Sequence, residues 1–239
     1  MKIKLFAVAA TAVGFLAMAG SASAVEVVSV SAVAGDTIPT GEHLITDFNS
    51  TGGADISGVG SQQGGTITDL AAGFHFTQDA NAYTRDGVAG LDPGVSAPPP
   101  LDNGVAGAFY ETVLNNGSAT LTSDLGLEQF SFYMGSPDDY NHVTFTFTGI
   151  DGSSQTLNGV DIWGGSPPGD GNQSEGFTVT YTFTPDAVRS IQFTSTGNSF
   201  EFDRFAGIVP EPASWALMLT GFGLAGGMLR AKRRKAALA

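Results

Sequence analysis

The chain of 239 residues contains no cysteine, and its lysines sit only near its two ends. Without thiols there are no disulfides and no thiolate metal sites, so stability must come from packing and sheet hydrogen bonds, with at most an ion held by other donors. Histidine is scarce. His43, His75 and His142 stand singly, and no HxxEH or HExxH spacing occurs, which leaves zinc hydrolysis without a local motif. Cations are scarcer still. Between residues 25 and 209 only Arg85, Arg189 and Arg204 face twenty-two acids, a net charge of −19 against −13 for the whole chain. Such a body repels nucleic acid, which needs clustered lysine and arginine to displace counterions from phosphate. A nucleophile elbow is also missing. Gly164-Gly165-Ser166-Pro167-Pro168 begins like one but lacks the closing glycine and the strand-to-helix setting.

Helical periodicity is absent from the body, where no stretch of ten residues or more carries it. Period-two alternation takes its place, punctuated by Gly, Asn, Asp and Pro. Val143, Phe145 and Phe147 alternate with Thr144, Thr146 and Thr148; Phe177, Val179, Tyr181 and Phe183 alternate with Thr178, Thr180 and Thr182. One aromatic and one threonine face define a half-buried antiparallel strand. Strands are expected at 43–49, 65–69, 74–78, 107–114, 118–122, 129–134, 142–148, 155–162, 177–184, 189–194 and 199–205, and an apolar edge strand within 25–34. The expected fold class is all-β, a jelly-roll-like β-sandwich, with a related barrel as the alternative. Segments 86–103, containing Pro98-Pro99-Pro100, and 166–176 are expected as long loops, either functional or mobile.

The two ends read as addresses. Lys2 and Lys4 precede an apolar run over 5–19, and Ala22 and Ala24 form the Ala-x-Ala pattern that signal peptidase cuts, so 1–24 is expected as a signal peptide and 25–208 as the acidic ectodomain. At the other end, Pro210-Glu211-Pro212 leads into 213–229, which carries no charge, and then into five cations over 230–235. As a helix that run is roughly 25 Å long, close to the ~30 Å of a hydrocarbon core. The cations hold its inner end in the cytoplasm and place the acidic body outside.

Pro210-Glu211-Pro212-Ala213-Ser214-Trp215-Ala216, followed by an apolar helix and an Arg/Lys cluster, resembles the PEPxxWA form of the PEP-CTERM sorting signal. The resemblance covers 209–239 and implies an exosortase as processing partner. It also implies a transient inner-membrane anchor, a Gram-negative host that makes extracellular polysaccharide, and a product destined for the cell surface or beyond. On this reading Pro210, Glu211, Pro212, Trp215 and Ala216 are read by another enzyme and catalyse nothing here. A second stretch, Gly135-Ser136-Pro137-Asp138-Asp139-Tyr140-Asn141 between two strands, is similar to a segment of some exosortase-dependent surface proteins and also suits a tight turn.

The composition suits no certain cofactor. The ion it favours is Ca²⁺, which takes carboxylate, amide and backbone oxygens. Asp47-Phe48-Asn49-Ser50-Thr51-Gly52 opens like an EF-hand loop, but position 12 is Gly58 and a strand precedes it, which rejects that motif. Asp170-Gly171-Asn172-Gln173-Ser174-Glu175 is also oxygen-rich. By analogy with jelly-roll modules, Asp47 and Asp203 are the candidate calcium pair, set against a turn role for Asp47 and a solvent-facing Asp203. Three function classes follow. The chain is expected to be a non-enzymatic structural or adhesive protein of an exopolysaccharide or biofilm layer. The alternative is a carbohydrate-binding module stacking sugars on Trp163, Tyr133 or Tyr140. A secreted hydrolase comes last, and would need two carboxylates about 5–10 Å apart.

Overall fold

Alternating phenylalanine and threonine gives each strand one face that must leave water, and two such sheets bury each other. The computed structural model describes residues 27–49, 51–52, 66–67, 69–87, 95–147, 153–183, 188–209, 220–224 and 230. In chain order the strands are β1 (Val27–Ala34), β2 (His43–Thr46), β3 (Thr51–Gly52), β4 (Thr66–Ile67), β5 (Phe74–Gln78), β6 (Ala82–Asp86) and β7 (Phe109–Val113). There follow β8 (Ser118–Leu127), β9 (Gln129–Gly135), β10 (Asn141–Phe147), β11 (Ser154–Asn158), β12 (Gly176–Phe183), β13 (Val188–Ser195) and β14 (Phe200–Ile208). A single 3-10 turn, Gly159–Trp163, lies between β11 and β12.

A seven-stranded sheet runs β1-β12-β9-β14-β7-β6, with β2 also paired to β14, and a five-stranded sheet runs β11-β10-β13-β8-β5. All strand pairs are antiparallel. From β5 onward the chain changes sheet at every connection except the β6–β7 and β10–β11 hairpins. That is a β-sandwich with jelly-roll-like crossing. β3 and β4 form a separate two-stranded ladder.

The inner faces meet in an aromatic core. Phe193 on β13 lies against Phe132, Phe200, Phe202 and Phe205 of the larger sheet, with ring centroids 5.3, 5.8, 4.4 and 5.4 Å away. Each well-placed ring pair adds about 0.5–1.5 kcal/mol beyond the area it buries.

The outer faces differ. On β10 buried Val143, Phe145 and Phe147 alternate with half-exposed His142, Thr144 and Thr146, and Thr144 bonds Thr156 across the strands at 2.9 Å. That face meets water. On β14 eight consecutive residues are buried, including Glu201, Asp203 and Arg204. The larger sheet is therefore covered on both sides.

Candidate functional site: the roofed face of the larger sheet

Two segments cover the outer face of the seven-stranded sheet. The first is the proline-rich strap 95–104, which the sequence marks as a long loop and the structure packs down. Ser96 Oγ lies 3.2 Å from Tyr110 OH, and Ala97 N–H donates to Glu201 Oε1 at 2.9 Å. Ser199 Oγ donates to Val95 O at 2.7 Å and also bonds Glu201 Oε1; Leu101 N–H donates to Tyr133 OH at 3.3 Å. Gly135 and Gly176, opposite each other on β9 and β12, give the prolines their seat. A Cβ on Gly135 would stand 2.7 Å from Pro99 Cα, and one on Gly176 would stand 2.8 Å from Pro100 Cδ.

The second cover is 35–42, just after β1. Thr178 Oγ1 donates to Gly35 O at 2.9 Å and accepts Thr37 N–H at 3.0 Å. Ser131 Oγ donates to Glu42 Oε2.

A bulge in β14 aims charge into this space. The register slips between Asp203 and Phe205, and the extra residue, Arg204, takes φ 45. There β14 changes neighbour on one edge, from β7 beside Phe200–Phe202 to β2 beside Phe205–Gly207. Such bulges redirect a side chain at the cost of a ladder bond. Arg204 pairs with Asp36 through Nε and donates from Nη2 to Thr178 Oγ1 at 3.0 Å, while Arg204 N–H donates to Asp203 Oδ1 at 2.6 Å.

Burial sets the protonation of the acids. Asp203 is held well above the usual carboxylate range by desolvation, reinforced by the charges of Asp102, Asp36 and Asp47. Asp102 rises to about 7 through burial and then Asp36; Glu201 rises to about 8 through burial, helped by the charge of Asp138, against the pull of Ser199 and Ala97. Glu42 is also raised by burial. On the inner face Glu111 rises to about 8, buried beside Gln78 and Thr84, which bond its Oε2 at 2.6 and 3.2 Å. The roofed outer face thus holds the buried acids Glu42, Asp102, Glu201 and Asp203, each raised by desolvation, together with the buried guanidiniums of Arg204 and Arg85. Glu42 Oε1, Asp102 Oδ2, Glu201 Oε2 and Arg204 Nη1 are buried there with no hydrogen-bond partner among the described residues.

The sequence-predicted residues fall in several places. Asp47 accepts Asn49 N–H at 3.0 Å, and its own N–H donates to Asp69 Oδ2 at 3.3 Å, so it works in a turn. Burial would raise its pKa, but the bonds from Asp69 and Asn49 outweigh that and lower it. Asp203 lies inside the roofed face, 5% exposed, where a solvent-facing position was the alternative to calcium binding. The charge of Asp47 is the smallest of those that raise Asp203. Among the described residues no three His, Asp or Glu side chains gather as a metal-ligand set.

The rings offered as sugar platforms are mostly interior. Trp163 and Tyr133 are each 1% exposed. Trp163 Nε1–H donates to Pro167 O at 2.7 Å; Tyr140 is half-buried, its OH donating to Asn198 O at 2.8 Å. Of the histidines, His43 is exposed, His75 Nε2 lies 3.5 Å from Asp124 Oδ1, and His142 Nδ1 lies 2.7 Å from Asn158 Oδ1. The Asp138 turn docks the second long loop: Asp138 bridges Asp170, and Gly171 N–H donates to Pro137 O at 2.8 Å. Beside that loop a cavity of about 370 Å³ is lined by Ala32, Ala34, Pro167 and Phe177, with Ser166, Ser174 and Glu175 on its polar side.

Ala22, Ala24, Pro210, Glu211, Pro212, Trp215 and Ala216 lie outside the described residues, as does most of 213–229. No helix among the described residues is long and apolar enough to cross a membrane.

No protein-family model and no curated protein matches the chain. A family 29 carbohydrate-binding module is similar at 9% identity and a TM-score of 0.34, over 72% of this chain and 98% of that one. A family 43 arabinoxylan arabinofuranohydrolase from Bacillus subtilis is 18% identical with a TM-score of 0.33, and a peptidoglycan O-acetylesterase is 11% identical with a TM-score of 0.31. These matches cover 58% and 64% of this chain but only 28% and 34% of the two enzyme chains. At such scores the likeness says nothing of ligand or reaction, and what those proteins bind or cut is theirs alone.

Proposed function

We propose that the chain is an exported surface or matrix protein, processed by an exosortase at Pro210-Glu211-Pro212. Its β-sandwich is then a structural or adhesive unit of an extracellular polysaccharide layer, without catalysis of its own. The observation that carries this reading is the order of the tail: PEPxxWA, a charge-free run, then a cluster of Arg and Lys. The body is consistent with it. Its most polar sheet face is closed by the chain's own strap, which bonds Glu201 and Tyr133, and burial raises the acids Glu201 and Asp203 there.

The test is mass spectrometry of the mature protein from strains with and without the exosortase. Loss of the tail only in the exosortase-positive strain is expected; an intact tail in that strain refutes the processing.

Polysaccharide binding is the second reading. It is favoured by the cavity beside 166–176, where Pro167 and Phe177 form an apolar floor and Ser166, Ser174 and Glu175 offer polar contacts. A sugar's apolar face and hydroxyl edge need that mixture. Affinity electrophoresis in gels containing the host's exopolysaccharide decides it: retardation that weakens in Glu175→Gln supports the site, and unretarded migration removes it.

A further inference from the structure

The cavity beside 166–176 has a fixed wall and a single charged side chain. On the wall Ala34 of β1 stands opposite Phe177 of β12. Trp163 backs it, with its ring 6.0 Å from Phe177 and its Nε1–H donating to Pro167 O at 2.7 Å. The chain around Glu175 is pinned on each side. Glu175 N–H donates to Asn172 O at 3.0 Å, Ser136 N–H donates to Glu175 O at 3.2 Å, and Gly35 N–H donates to Gly176 O at 3.1 Å. Asn172 Nδ2–H then donates to Glu175 Oε1 at 3.0 Å. The carboxylate is held in place before any ligand arrives.

What that carboxylate lacks is a cation. Glu175 makes no ion pair among the described residues, and its Oε2 is buried with no hydrogen-bond partner there. The arginines of the body are engaged or placed elsewhere. Arg204 pairs with Asp36, Arg85 lies on β6 at the opposite edge of the larger sheet, and Arg189 lies on β13 of the smaller one. Asp138 and Asp170, which bridge across the same loop, add negative charge, as does the net −19 of the body. A buried carboxylate oxygen without a donor is costly until one reaches it. Acidic glycans are repelled here, and a neutral sugar brings only hydroxyls. An ammonium brings N–H donors and the missing charge, and such charge-assisted bonds are about twice as strong as neutral ones.

We propose that this cavity selects a cationic amino sugar, a hexosamine unit with a free ammonium group, which bonds Glu175 while the ring lies over Pro167. The proposal rests on the polysaccharide reading of the same cavity and narrows it to one class of glycan. Ser166 and Ser174 favour a sugar over a lysine side chain, because their hydroxyls meet ring hydroxyls and a lysine stem has no group to offer them. A volume of about 370 Å³ lies near the lower end of ligand pockets, about 300–1,000 Å³, and suits a ligand of one or two rings.

The experiment titrates three β-1,4-linked disaccharides into the full chain in detergent micelles at pH 6, where the sugar amine carries its proton. Glucosamine dimer, its N-acetylated counterpart and cellobiose differ only at the 2-position: ammonium, amide and hydroxyl. By calorimetry the glucosamine dimer is expected to bind about tenfold more tightly than the other two, and Glu175→Gln should bring it down to their level. Asp124→Asn, at an exposed site on the smaller sheet, removes the same charge elsewhere and should leave the preference intact. Circular dichroism checks that both variants are folded. The selection is overturned if the three sugars bind alike or none binds, or if Asp124→Asn weakens binding as much as Glu175→Gln. It is also overturned if Nα-acetyl-lysine amide binds as tightly as the glucosamine dimer. Retardation in the exopolysaccharide gel is a separate measurement, so the broader polysaccharide reading can stand when this selection falls.

Discussion

Glu201 on β14 accepts the backbone N–H of Ala97 at 2.9 Å across 104 positions of sequence, and that bond ties the strap to the sheet. With its pKa lifted to about 8, the side chain is a neutral carboxylic acid at pH 7. Glu201→Gln keeps the acceptor oxygen and a neutral head group, and should cost under about 1 kcal/mol. Glu201→Ala strands the buried N–H of Ala97, while Ser199 Oγ keeps Val95 O, and should cost about 1–3 kcal/mol. Urea unfolding of the pair at pH 7 checks the difference. Equal losses would show that the neutral hydrogen-bonding role is wrong.

The same burial gives the protein an acid-side stability optimum. Glu111 and Glu201 are raised from 4.5 to about 8, Asp102 from 3.8 to about 7, and Asp203 is raised well above 3.8. A raised folded pKa means that the native state binds the proton more tightly than the unfolded chain. The stability it contributes is complete below the unfolded values near 4 and is lost as pH climbs through 7 and 8. Asp47 is shifted the other way, and its contribution is lost only as pH falls below 3.8, outside this range. The melting temperature should be higher at pH 5.5 than at pH 8.5 by at least about 5 °C. Glu111→Gln should flatten the slope. A melting temperature that rises with pH over this range contradicts the assignment.

Phe193 is the ring on which the two sheets depend most directly, touching Phe130, Phe132, Phe200, Phe202 and Phe205. Phe193→Ala should lower stability by about 3–5 kcal/mol, since its five ring neighbours all stand on the larger sheet and collapse poorly across the gap between the sheets. Thr144→Ala, on the water-facing side, should stay within about 0.5 kcal/mol. Comparable losses at the two positions would deny that the core lies between these faces.

Local alternation made most of this architecture readable. Phe177, Val179, Tyr181 and Phe183 turn inward as their spacing requires, 74–78 forms the strand expected there, and the apolar 27–34 stretch is an edge strand. β6, Ala82–Asp86, escaped because Arg85 and Asp86 blur its pattern. The expected strand over 155–162 stops at Asn158, where a 3-10 turn carries Trp163 inward. The candidate site was the least legible part. Alternation marks Tyr133, Glu201 and Asp203 as outward-facing, which is correct for the sheet, yet outward is not exposed when a strap from another part of the chain lies on top. No local signal names the partner in such a contact. The glycines at 135 and 176 hold the only hint.

Gly135 therefore tests the strap directly. An alanine there puts its Cβ 2.7 Å from Pro99 Cα and 3.1 Å from Pro99 Cβ, closer than packed carbons tolerate, and the obstacle is backbone with little freedom to move. Gly165, at φ +92 with nothing within 4 Å, is the control, because alanine there meets backbone strain alone, about 1 kcal/mol. Gly135→Ala should cost more, about 1–3 kcal/mol as overpacking does, and should raise amide hydrogen exchange over 95–104 while leaving β10 and β13 protected. Should Gly135→Ala cost less than the Gly165 control and leave the strap protected, Pro99 and Pro100 are not seated on that glycine pair, and the larger sheet's outer face is closed by something else.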